Sequence, residues 1–182
     1  MFRSPSTRAS AAVLAALAAV PLLAGPAKAQ SEDAAGVVED LHFFVESLDG
    51  TETEERSETE VTVTLTSDVL FEVDESDLTA EARDRLASVA EQIRSEGAGG
   101  VVAIAGHTDD QAGDSYNQDL SERRAESVRA ELAGQLSDVD VSFETVGHGE
   151  SRPRVPNIVD GEPNDENRGK NRRVEITYDV QQ

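Results

Sequence analysis

Residues 101–128 read VVAIAGHTDDQAGDSYNQDLSERRAESV. The stretch opens on Val101, Val102, Ala103, Ile104 and Ala105, bounded by Gly99 and Gly100 on one side and Gly106 on the other. A short apolar run between glycines predicts a strand buried on both faces. It feeds into Gly106-His107-Thr108-Asp109, and a helix follows with Ala125, Val128, Leu132 and Leu136 as its apolar stripe. In open α/β folds ligands sit beyond the carboxyl ends of strands, next to helix N-termini, and residues 106–110 occupy that place.

Working outward, Val61, Val63 and Leu65 alternate with threonines as a half-buried strand does, and the run continues towards Val69, Leu70 and Phe71. Residues 74–77 break it. Thr79 can cap a helix with stripe Ala82, Leu86, Val89 and Ile93, ended by Gly97, Gly99 and Gly100. On the far side, Val139, Val141, Phe143 and Thr145 predict another strand. A long loop through Pro153, Pro156, Asn157, Gly161, Pro163, Asn164 and Asn167 is closed by a last strand at Val174, Ile176 and Tyr178. The element order is βαβαβ with a closing strand. The class is α/β, an α+β sandwich.

Residues 30–60 hold eleven acids against the single base Arg56, yet Val37, Val38, Leu41, Phe43, Phe44, Val45 and Leu48 interrupt the charge. The segment is either a hairpin arm or a linker. Asp49-Gly50 is a turn signal, and the hairpin reading pairs residues 40–48 with residues 59–66. Ahead of it, Arg3 and Arg8, an uncharged stretch from Ala9 to Ala27, and Ala27-Lys28-Ala29 have the layout of a secretory signal peptide cut after Ala29. The alternative is an uncleaved membrane anchor, although Pro21, Gly25 and Pro26 interrupt the stretch. The expected organisation is a leader at 1–29, an acidic segment at 30–60 and one domain at 61–182, exported to the cell envelope.

The chain has no cysteine, which excludes disulfides, thiolate chemistry and lipid attachment through an N-terminal Cys. Formal charge is −21, and loss of the leader would remove three more bases, so nucleic acid is excluded as a partner. Within a Debye length of about 10 Å at 0.1 M salt, isolated arginines still decide local recognition of an anion.

GHTDD at 106–110, YN at 116–117, LSERRAESV at 120–128, GHGESRP at 147–153 and NRRVEI at 171–176 resemble, in order and spacing, the C-terminal domain of outer-membrane protein A. Peptidoglycan-associated lipoproteins and flagellar stator proteins share this domain, and the resemblance covers about residues 61–180. It implies a mixed sheet of about four strands with helices packed on one face, and non-catalytic binding of peptidoglycan through the diaminopimelate of its stem peptide. It also implies that Asp109 meets the ligand ammonium and Arg124 its carboxylate. Asn117 and Thr108 match positions that shape the same pocket, and Asp74 sits in the loop that lines it.

The chemistry of the residues agrees. The free end of diaminopimelate is a zwitterion, and one carboxylate with one guanidinium is the smallest pair that complements it. At 3.6 residues per turn Arg124 lies about 40° from Val128, at the border of the buried stripe, whereas Arg123 points to solvent. Taken alone, Asp109 is equally a turn or capping acid and Arg124 an ordinary surface arginine. Asp110, on the opposite face of an extended chain, is read as solvated. Arg172 and Arg173 are read as structural partners of nearby acids. His107 and His148 fall short of a zinc set, and Asp160, Glu162, Asp165 and Glu166 lack the spacing of a calcium loop. No catalytic residue, metal or cofactor is assigned.

Two positions depart from the family pattern: Ala112 stands where a glycine is usual, with Gly113 next, and Val73 stands where many members place an aromatic. The expected function is an anchor to the cell wall. A tether whose residues 30–60 recruit an unknown envelope protein is compatible with it. A wall-modifying hydrolase is the rival, opposed by the lack of a cysteine, a metal set or a nucleophile elbow.

Overall fold

A computed structural model of the chain describes residues 43–182; the expected leader and residues 30–42 lie outside this range. The elements are β1 Phe43–Glu46, β2 Glu52–Arg56, β3 Glu60–Thr66, α1 Ser67–Leu70, α2 Ala80–Glu96, β4 Gly97–His107, α3 Asp114–Gln135, β5 Val141–Gly147, β6 Ile158–Val159, β7 Glu162–Pro163, α4 Asp165–Asn171 and β8 Arg173–Val180. Six strands form one mixed sheet in the order β1-β2-β3-β8-β4-β5, and β6 pairs only with β7. The closing strand β8 lies between β3 and β4, antiparallel to both, while β4 and β5 run parallel across the α3 crossover.

Alternation builds the core. Val61, Val63 and Leu65 of β3, Val174, Ile176 and Tyr178 of β8, and Val102 and Ile104 of β4 point to one face. There they meet Ala82, Leu86, Val89 and Ile93 of α2 and Ala125, Val128 and Leu132 of α3, all nearly inaccessible. Thr79 caps α2, its Oγ1 accepting from the Ala82 N–H at 2.9 Å. Helix α3 lies close against β4 and β5: a Cβ on Gly106 would fall 2.2 Å from the Ser121 carbonyl oxygen.

The α+β sandwich with helices on one face is the observed fold, and five particulars differ from the sequence reading. The sheet has six strands rather than four, because β1 and β2 extend its β3 edge. The Asp49-Gly50 turn is present, but β1 pairs with β2, Phe44 opposite Glu55, and not with β3; β2, ETEER, carries no apolar residue to announce a strand. Strand β4 is buried on one face only, Val101 remaining 43% exposed, because none of the described helices covers the other side of the sheet. Strand β3 stops at Thr66, and α1 turns the chain so that Leu70 and Phe71 enter the core. The long loop also contains β6, β7 and the short helix α4. Among the described residues no helix is long and apolar enough to cross a membrane.

Candidate functional site

At the carboxyl ends of β3 and β4, beside the N-terminus of α3, a cleft of about 760 Å³ opens, a volume typical of small-ligand sites. Thr108, Asp109, Asn117, Arg124 and Asp74 all line it, together with Asp68, Phe71, Tyr116 and Arg172. Four of the five sequence candidates are buried: Thr108, Asp109, Asn117 and Arg124 are each no more than 6% exposed. Asp74 is exposed and holds a left-handed φ of 60°, uncommon for a residue with a side chain.

Arg124 is oriented by its inner end. Its Nε donates to the Glu75 carbonyl at 3.0 Å and its guanidinium lies 5.0 Å from the centre of the Phe71 ring. Neither terminal nitrogen has a hydrogen-bond partner among the described residues, and Arg124 lines the cleft. Burial pushes the Arg124 pKa below the ordinary arginine value, against the opposing pull of Asp74 and Asp68. Arg123, one residue earlier, is exposed.

Asp109 is clamped at both oxygens. Oδ1 accepts from the Gln111 N–H at 3.1 Å, and Oδ2 accepts from Arg172 Nη1 at 2.7 Å. Arg172 also donates to both oxygens of Asp68, at 3.0 and 2.8 Å. Those bonds, Asp68 first, raise the Arg172 pKa further above the ordinary arginine range. Arg172 thus has the acidic partners expected of it, and it also forms part of the cleft wall. Sequence reasoning missed Asp68 and Phe71 as wall residues, and only the turn of α1 brings them there.

The remaining residues shape the loop. Asn117 Nδ2 donates to the Asp109 carbonyl at 3.1 Å and to the Ala112 carbonyl at 3.3 Å. Thr108 gives its backbone N–H to the Gly149 carbonyl, while its buried hydroxyl has no partner. Asp110 is not solvated as expected: Arg168 on α4 donates to it at 2.8 Å, fastening α4 to this loop. His107 and His148 lie 5.1 Å apart, and the described residues contain no group of three or more metal-ligating side chains.

The chain is 38% identical over 114 residues to outer membrane protein A of Bordetella avium, a match covering 63% of this chain and 55% of that protein. Of other curated relatives it spans smaller shares. Among solved structures, the cell wall anchor of the T6SS from Pseudomonas aeruginosa superposes with a TM-score of 0.61 at 28% identity, covering 72% of this chain and 89% of that one. A MotB-like protein from Desulfovibrio vulgaris superposes with a TM-score of 0.57 at 26% identity, covering 74% and 85%. The OmpA family profile matches residues 70–172, from the end of α1 to the arginine that ties Asp109 to Asp68, and on that match the chain belongs to the OmpA family.

Proposed function

We propose that this domain binds peptidoglycan reversibly and without chemistry, taking the free end of a diaminopimelate side chain in the cleft and so holding an exported protein at the cell wall. The observation that carries this reading is the pairing, in one cleft, of a buried guanidinium with two open terminal nitrogens and a buried carboxylate fixed by its neighbours. Arg124 takes the ligand carboxylate through two parallel N–H···O bonds. Asp109 takes the ammonium, since each of its oxygens retains a lone pair beyond its present bond. Asn117, Thr108 and Asp74 shape the surrounding wall, and the Thr108 hydroxyl is an unused polar group beside the ligand. Membership of the OmpA family and likeness to a cell wall anchor support the same reading.

The test is co-sedimentation of the chain with purified diaminopimelate-type sacculi in chelator, beside Asp109→Ala and Arg124→Ala, with soluble fragments monitored. Loss of binding in both variants, with no fragments released, is the expected result. No binding by the unaltered chain refutes the assignment, and release of fragments makes it a wall hydrolase instead.

A further inference from the structure

The hairpin β1–β2 lies outside the residues matched by the family profile, and nothing in the cleft uses it. None of residues 43–56 joins the hydrophobic core. Its apolar side chains face solvent: Phe43 is 58% exposed, Phe44 57%, Val45 61% and Leu48 fully. Yet the hairpin is held firmly in place. Arg85 on α2 donates to Asp49 at 2.9 Å, Arg56 bonds Glu96 at 2.6 Å, Gln92 bonds Glu54 at 3.2 Å, and Arg154 bonds Glu55 at 2.9 Å. Each surface pair contributes little alone. Together they fix an element whose apolar surface the described domain does not use.

Among the described residues strand β1 is also the edge of the sheet. Natural edge strands are blunted by lysine, proline, a bulge or inward charge. β1 is short, four residues with Glu46 at one end, but it has no lysine, proline or bulge, and it pairs with β2 in unbroken register. An apolar edge held rigid is a template for strand addition.

We propose that β1 pairs antiparallel with β1 of a second copy of this chain, joining two six-stranded sheets across a two-fold axis perpendicular to them. The axis restricts the register. Phe44 lies on the sheet face away from the helices, since it is opposite Glu55, which is opposite Thr62. Phe43 and Val45 lie on the helix side. A two-fold perpendicular to the sheet keeps each face continuous, so a residue meets only residues of its own face; of the registers this allows, the one centred on Phe44 sets Phe44 opposite Phe44 of the second copy and Phe43 opposite Val45, twice, and so pairs all three apolar side chains of β1 with one another. One aromatic pair and two aromatic–β-branched pairs are among the favourable cross-strand combinations. The strand is therefore complementary to itself in a register that the symmetry allows. Arg154, 5.9 Å from the Phe44 ring, borders the central pair. The exposed parts of Phe43, Phe44 and Val45 would bury roughly 600 Å² across both copies, below the roughly 1,000 Å² of a stable specific interface, so the dimer is weak. Both copies are strongly acidic, and salt strengthens the pairing by screening their repulsion.

The lack of any native cysteine makes the register directly testable. Directly opposed residues have Cα atoms roughly 4.5–5.5 Å apart, within disulfide range. In the full chain as its host processes it, Phe44→Cys alone should cross-link under mild oxidation. Phe43→Cys and Val45→Cys should cross-link when mixed and not separately. Sedimentation should show a monomer–dimer equilibrium that tightens with salt, and Phe44→Glu should weaken it at least tenfold with the circular dichroism spectrum unchanged. A chain monomeric at all concentrations overturns the proposal, whether its β1 amides exchange freely or are protected by its own N-terminal segment. A dimer whose cross-linking ignores position also overturns it, because another surface then pairs. None of these readouts depends on binding to the wall.

Discussion

Arg172 and Asp109, 63 residues apart in sequence, meet at 2.7 Å, and the same guanidinium grips both oxygens of Asp68. One side chain thus joins the start of β8 to the β4–α3 loop and to α1. Two acids on one arginine leave the cleft wall with a residual negative charge, suited to a ligand that brings an ammonium. Removing the arginine leaves Asp109, whose side chain is 8% exposed, without its cation. Arg172→Gln should lower unfolding free energy by about 2 kcal/mol, as stranding a nearly buried charge does. Urea unfolding of Arg172→Gln, Asp109→Asn and the double variant should show that the two losses are not additive.

Arg124→Lys retains the positive charge and removes the planar fork. We expect affinity for a diaminopimelate stem peptide to fall at least tenfold, with the thermal midpoint nearly unchanged. A lysine-type stem, which has no distal carboxylate, should bind the original chain and the variant equally weakly. Calorimetric titration with the two peptides reads both effects.

Glu175 lies between His107 and Arg173 on the open face of the sheet. The His107 ring 3.6 Å away, and then Arg173 at 2.7 Å, hold its carboxyl at a pKa of about 2, below the ordinary 4.5. A depressed pKa means that the ionised form favours the fold. Its contribution is complete above about pH 4.5 and is lost as pH falls through about 2. Glu175→Gln should therefore be less stable by about 2 kcal/mol at neutral pH, and the gap should close between pH 4.5 and 2. A gap independent of pH would show that its charge is not what stabilises.

Gly106 sits under α3 where a Cβ would strike the Ser121 carbonyl oxygen, a backbone atom that cannot rotate away. Gly106→Ala should push α3 off the sheet and cost about 3 kcal/mol. Because Asn117 and Arg124 ride on α3, affinity for the wall should fall in parallel with the thermal midpoint.

Much of this architecture was legible because its signals are local. The stripes of α2 and α3, the alternation of β3 and β8, and the Thr79 cap each depend on residues within a few positions, and all appear as expected. The position of Arg124 at the edge of its stripe follows from helical periodicity. Local signals failed where a neighbour supplied the reason. Strand β2 is ETEER, which forms a strand because β1 and β3 flank it. Strand β4 reads as buried on both faces, yet helices cover only one side. Asp110 looked solvated until α4 folded back to bring Arg168 to it.

By itself, the sequence determined the order and kind of the main elements, the single apolar face of each helix, and the motif words that identify the family. Those features rest on periods of 2 and 3.6 residues and on spacings that no partner can alter. Tertiary structure alone decided that β8 enters between β3 and β4, that α1 turns Phe71 beneath Arg124, and that Arg172 joins Asp68 to Asp109. It also decided that, among the described residues, β1 ends the sheet with its apolar side chains exposed. Such relations link residues as far apart in the chain as Glu60 and Asp179. They depend on which surfaces meet when the chain packs, a choice made by the whole core and written in no short segment of it.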